Sequence, residues 1–143
     1  GFGKISEDEK HPRFKDNIFS VDEKKILKNI QKCSGGQKYE IIKGFFEDTI
    51  KNKDPNQYGI EKARVVMIDC DLKEATDLSL NFLKKILQKG TIIMFDDYIF
   101  YKGSEKKGEY AAFEEFKSNN PNIKFRPAFE YGYGSRAFIV TKI

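Results

Sequence analysis

The sequence contains no tryptophan, one histidine and two cysteines among 143 residues. Cys33 and Cys70 are far apart and have no C-x-x-C spacing, and so few cysteines exclude a disulfide scaffold. Two buried or partly buried free thiols in a cytoplasmic protein are therefore expected. Proline is also scarce, at 4 residues, so collagen-like and proline-rich linker architectures are excluded. No apolar run approaches the ~20 residues of a membrane span, and the first residues lack the apolar core of a signal peptide. Arginine is rare as well: 4 of the 26 basic residues are Arg13, Arg64, Arg126 and Arg136, and the rest are lysines mixed with acids. A net charge of +4 spread in this way describes a solvated surface, not the single-sign stripe that nucleic-acid binding requires.

The residues that are present describe a globular domain, 39% hydrophobic, 34% charged and 14% aromatic. Residues 1–19 read as an irregular lead-in. His11, in His11-Pro12-Arg13, reads as an exposed loop histidine. Ser20, with Glu23 three residues on, opens a helix whose apolar face is Ile26, Leu27, Ile30 and Cys33. Gly35-Gly36 ends that helix. Tyr39–Ile42 is expected as a short strand, followed by one or two helical turns from Gly44. Ala63–Ile68 and Thr91–Phe95 are β-branched apolar strands flanking a helix over Thr76–Gln88, a βαβ unit with parallel strands. A helix over Tyr110–Lys117 precedes two strands, Lys124–Phe129 and Ala137–Thr141. The short Gly132-Tyr133-Gly134-Ser135 connection between them predicts a closing antiparallel hairpin. The tail aromatics Phe125, Phe129, Tyr131, Tyr133 and Phe138 read as core packing of that hairpin.

Both strands of the βαβ unit run into acid, the first at Asp69-Cys70-Asp71 and the second at Asp96-Asp97. Neighbouring parallel strands lie ~4.8 Å apart, so Asp69 is expected beside Asp96 and Asp97 at the carboxyl rim of the sheet, where open α/β folds bind ligands. Converging carboxylates repel unless they are protonated or bridged by a cation, and a hard divalent ion suits oxygen donors. The competing structural account is that acids after strands merely cap loops; it suffices for one such residue and less well for three. Tyr98 and Arg136 are candidates for contact with acceptor groups, while Tyr98 reads as readily as a loop anchor and Arg136 as a surface ion pair.

Three blocks in this order, Gly44-Phe45-Phe46-Glu47-Asp48-Thr49-Ile50, Ile68-Asp69-Cys70-Asp71-Leu72-Lys73-Glu74-Ala75-Thr76 and Gly90-Thr91-Ile92-Ile93-Met94-Phe95-Asp96-Asp97-Tyr98, resemble the macrocin-type O-methyltransferases. These form a branch of the class I S-adenosylmethionine-dependent methyltransferases. The resemblance implies an α/β, Rossmann-like three-layer sandwich with a mostly parallel sheet and a C-terminal antiparallel hairpin. It implies Mg²⁺ ligation by Asp69, Asp96 and Asp97, and a general-base role for Asp69 on a small hydroxylated acceptor. It also implies cofactor contact through Phe46 and Glu47 near the adenine of S-adenosylmethionine.

The Gly-rich strand-to-helix turn of such a fold is missing from the sequence: neither Gly1-Phe2-Gly3 nor Gly132-Tyr133-Gly134 stands between a strand and a helix. Residues 1–143 therefore read as a single partial methyltransferase domain, truncated at the N-terminus. Poor binding of the cofactor by the chain alone is expected. With the family's central strands absent, the Ala63–Ile68 edge is expected to pair with Tyr39–Ile42 or with another chain, giving a homo-oligomer. The alternative is a non-catalytic remnant of the fold that acts as an association module. A nucleotide-binding module and a nucleic-acid binder rank below both.

Overall fold

The computed structural model describes residues 5–13 and 22–143. They divide into two compact units, Gly1–Phe45 and Phe46–Ile143. In the first, helix α1 spans Glu23–Cys33, and the Asp22 side chain caps it by accepting the Lys24 N–H at 2.9 Å. Ser20, the expected cap, lies outside the described residues. Gly35 and Gly36 adopt φ of 57° and 83°, the left-handed conformation that stops the helix. No residue of α1 is buried, so Cys33 is an exposed thiol, contrary to expectation. Tyr39–Ile42 is not a strand but irregular chain. An extended run of four residues becomes a strand only by pairing, and this one enters no ladder.

The second unit contains a four-stranded sheet in the order β1-β2-β4-β3, with β1 at Val65–Ile68, β2 at Ile92–Phe95, β3 at Lys124–Tyr131 and β4 at Ser135–Lys142. Only β1 and β2 are parallel; β4 runs antiparallel to β2 and to β3. The sheet is thus mixed rather than mostly parallel, because the hairpin provides half of its strands and no strand forms at Tyr39–Ile42. The hairpin itself closes as the glycine-rich turn predicts. Helix α2 covers Phe46–Thr49, α3 covers Lys73–Leu83 and α4 covers Gly108–Asn119. A short 3₁₀ turn, Lys84–Ile86, extends α3, and Gly90 at φ 93° reverses the chain into β2.

Residues paired across the ladders share a face. Val66, Ile68, Ile93, Phe95, Phe138 and Val140 lie on one side, where they pack with Leu80 of α3 and with Ala112, Phe113 and Phe116 of α4. The Phe113 ring is 4.8 Å from both the Phe95 and Phe138 rings and 5.0 Å from Phe125. Phe125 and Phe138 thus join the core, whereas Phe129 and Tyr133 are exposed and do not. Within this unit α3 and α4 share this one core on one face of the sheet. On the opposite face Val65 and Met67 are 62% and 57% exposed. Strand β1 is the sheet's edge, and the expected pairing with Tyr39–Ile42 is not made. Among the described residues, no helix is long and apolar enough to cross a membrane.

Candidate functional site

The parallel register sets Ile68 opposite Phe95, and the ladder continues one step further as the Asp96 N–H donates to the Ile68 carbonyl at 3.0 Å. The chain then leaves both strands at the same level. Asp69 follows β1 directly and Asp96-Asp97 follows β2, so one carboxylate oxygen from each of Asp69, Asp96 and Asp97 lies within 4.8 Å of the others. Asp69 is exposed, and the other two are half-buried. Partial burial, and then the charges of Asp96 and Asp97, raise the Asp69 carboxyl above its ordinary value. The oxygen-only donor set and the mutual repulsion together fit a hard divalent cation.

Two further acids border the trio. Asp71 occupies the left-handed region at φ 57°, in a tight turn where the Leu72 N–H meets the Cys70 carbonyl. Aspartate tolerates this conformation better than most residues do. Burial, followed by a side-chain hydrogen bond with Asp97 and its charge, pushes the Asp71 carboxyl up to about 7. Glu109, in the first turn of α4, is fully buried. Its Oε1 accepts the Cys70 N–H at 3.1 Å and its Oε2 accepts the Asp97 N–H at 3.0 Å. Burial dominates over these two bonds and lifts the carboxyl to about 8. Neither acid was assigned a site role on sequence grounds. Asp71 had a visible signal in the Asp-Cys-Asp spacing after β1. Glu109 had none, since a glutamate in a first helical turn ordinarily complements the helix dipole at the surface.

The surroundings hold this rim in place. Ser135 Oγ donates to the Asp96 carbonyl at 2.5 Å from the start of β4. Tyr98 is buried in the aromatic core, and its hydroxyl donates to Glu114 at 3.3 Å, the anchoring role expected of it. Arg136 forms the expected ion pair, with its Nε 3.2 Å from Glu130. Among the described residues the buried Tyr131 hydroxyl has no hydrogen-bond partner, and desolvation followed by the field of Asp96 and the neighbouring acids raises it to about 12. Cys70 sits behind the rim, its thiol 3.7 Å from Ser79 Oγ and pushed up to about 11 by burial. Phe46 and Glu47 are exposed on α2, which packs beside α3. His11 is half-buried rather than exposed as expected, and its Nδ1 accepts the Arg13 N–H at 3.2 Å.

A model of the macrocin O-methyltransferase family matches residues 3–125, a span that includes all five acids of the rim. The chain belongs to this family. The solved structure of the O-methyltransferase NovP matches with a TM-score of 0.66 at 18% identity, over 85% of this chain and 46% of NovP. The apo structure of CalS11, a TDP-rhamnose 3'-O-methyltransferase of calicheamicin biosynthesis, gives a TM-score of 0.42 at 15% identity, over 68% of this chain and 39% of CalS11. No curated protein matches. The likeness to NovP establishes an α/β fold of the methyltransferase kind, and this chain spans less than half of NovP's length.

Proposed function

We propose that this chain carries the metal- and acceptor-holding part of an S-adenosylmethionine-dependent O-methyltransferase that acts on a small hydroxylated molecule. The observation carrying this reading is the convergence of Asp69, Asp96 and Asp97 oxygens within 4.8 Å, in a member of the macrocin O-methyltransferase family. Asp69, Asp96 and Asp97 would hold Mg²⁺. When bound, the ion supplies Lewis acidity that lowers the pKa of an acceptor hydroxyl. Asp69, the exposed member of the trio, is assigned proton acceptance as well as ion holding.

Phe46 and Glu47 are assigned to the adenine end of the cofactor, as a stacking surface and an acceptor for its amino group. Among the described residues, no Gly-rich turn leads from a strand into a helix to take the rest of the cofactor. Binding of S-adenosylmethionine by this chain is accordingly expected to be weaker than micromolar in calorimetry. Calorimetric titration with Mg²⁺ or Mn²⁺ tests the metal assignment: saturable binding that disappears in Asp97→Asn supports it. The absence of binding to the unsubstituted chain would overturn it.

A second reading, association through the sheet, rests on the exposure of Val65 and Met67 on edge strand β1. Unpaired edges with apolar side chains recruit further strands. On this reading sedimentation velocity shows concentration-dependent dimers that Met67→Lys abolishes. A monomer at all concentrations rejects it.

A further inference from the structure

The loops that follow β1 and β2 have few geometric reasons to stay together once the ladder ends at Asp96. They are nonetheless bridged by one side chain from a third element. Glu109 reaches from the first turn of α4 under both loops, and its two carboxylate oxygens take the Cys70 N–H at 3.1 Å and the Asp97 N–H at 3.0 Å. Cys70 directly follows Asp69, and the Asp97 amide belongs to a member of the trio itself. We propose that Glu109 is the positioning residue of this site, a clamp whose paired acceptors fix the separation of the Asp69 and Asp96-Asp97 loops and so make three carboxylates converge.

The chemistry requires a carboxyl group at this position. Two N–H donors reach separate oxygens of one side chain; both oxygens of a carboxyl, ionised or protonated, keep a lone pair for an N–H, whereas glutamine sets an NH₂ that accepts nothing in one of those places. Aspartate, one methylene shorter, falls short of bridging the same gap. Placing a carboxyl where it is fully buried is costly without such partners, so its presence under the rim is explained by the bonds it makes. The backbone beneath is fitted to this approach. Gly108 has φ 68°, and a Cβ there would lie 2.5 Å from the Tyr101 ring and 3.4 Å from the Asp71 carbonyl. Only glycine lets the start of α4 come this close. Ser135 holds the Asp96 carbonyl from the hairpin side, so the second loop is held at two points.

This inference rests on the metal reading of the trio, and the two can fail separately. Mn²⁺ affinity, measured by electron paramagnetic resonance on the full chain, is expected to fall at least tenfold in Glu109→Gln, the usual scale for a residue that orients metal ligands. In the unsubstituted, metal-free chain, the Cys70 and Asp97 amides are expected to exchange with solvent far more slowly than those of Asp71 and Tyr98 in the same loops. A folded Glu109→Gln chain with unchanged Mn²⁺ affinity overturns the clamp, since a merely structural glutamate would cost stability alone. If Glu109→Gln does not fold, the amides of the unsubstituted chain decide: protected, they support the clamp, and freely exchanging, they overturn it. If the unsubstituted chain binds no Mn²⁺, the metal reading fails, and the same amide criterion decides the clamp.

Discussion

At the scale of single residues, the acidic rim sets stability against binding. Without a cation, Asp69, Asp96 and Asp97 repel at short range, and burial first and then the charges of Asp96 and Asp97 raise the Asp69 carboxyl. Asp69→Asn removes one of those charges while keeping its shape. The metal-free chain is therefore expected to gain stability in denaturant unfolding, by an amount that solvent screening at this exposed carboxyl keeps small, while losing at least tenfold in divalent-ion affinity. Equal loss of both would mean that Asp69 serves the fold, not a ligand. Tyr131 gives a second case of the same kind. Its buried hydroxyl lacks a partner among the described residues, so Tyr131→Phe removes an unsatisfied polar atom and is expected to raise the unfolding free energy by about 1 kcal/mol. A loss of stability instead would show that water or another group satisfies that hydroxyl in solution.

At the scale of elements, α4 matters as much for where it starts as for the face it buries. Its N-terminal glycine sits in the left-handed region against the Tyr101 ring. Gly108→Ala combines backbone strain with overpacking and is expected to cost on the order of 2–4 kcal/mol in chemical unfolding. A near-neutral result would mean that Tyr101 swings aside freely. Elements of this kind also mark what a linear reading can and cannot find. The β-branched runs at Val65–Ile68 and Ile92–Phe95 and the glycine turn before Ser135 were legible because strand and turn chemistry is local. The meeting of Asp69 with Asp96 and Asp97 was legible for the same reason, since two parallel strands in a βαβ unit end at one level. Tyr39–Ile42 was misread because a strand depends on a distant partner, and its apolar alternation says nothing of whether one exists. The proportion of parallel pairing in the sheet was misjudged along with it. Glu109 was illegible in principle: what distinguishes it from a solvated helix-start glutamate is the pair of amides above it, 39 and 12 residues away in sequence.

At the scale of the whole molecule, these buried acids set how stability depends on pH. Glu109 rises from an ordinary value of 4.5 to about 8 and Asp71 from 3.8 to about 7, both chiefly through burial. Across that interval the folded chain holds protons that the unfolded chain has already released. Raising the pH therefore favours unfolding: the stabilisation is complete below about 4 and is lost as pH climbs through 7 to 8. Each group contributes a slope on the order of 1 kcal/mol per pH unit inside its window. The metal-free chain is thus expected to melt several degrees higher at pH 5.5 than at pH 8, as read by circular dichroism or scanning calorimetry. A divalent ion acts in the opposite direction. It binds ionised carboxylates, so its grip tightens as pH rises, and it stabilises only the folded chain that assembles the trio. Millimolar Mg²⁺ is accordingly expected to raise the melting temperature at pH 8 and to leave it unchanged at pH 5.5, narrowing the gap between the two. A metal-free melting temperature that is flat or rising between pH 5.5 and 8 would show that Glu109 and Asp71 titrate near their ordinary values. A Mg²⁺ effect equal at both pH values would place the ion away from this rim.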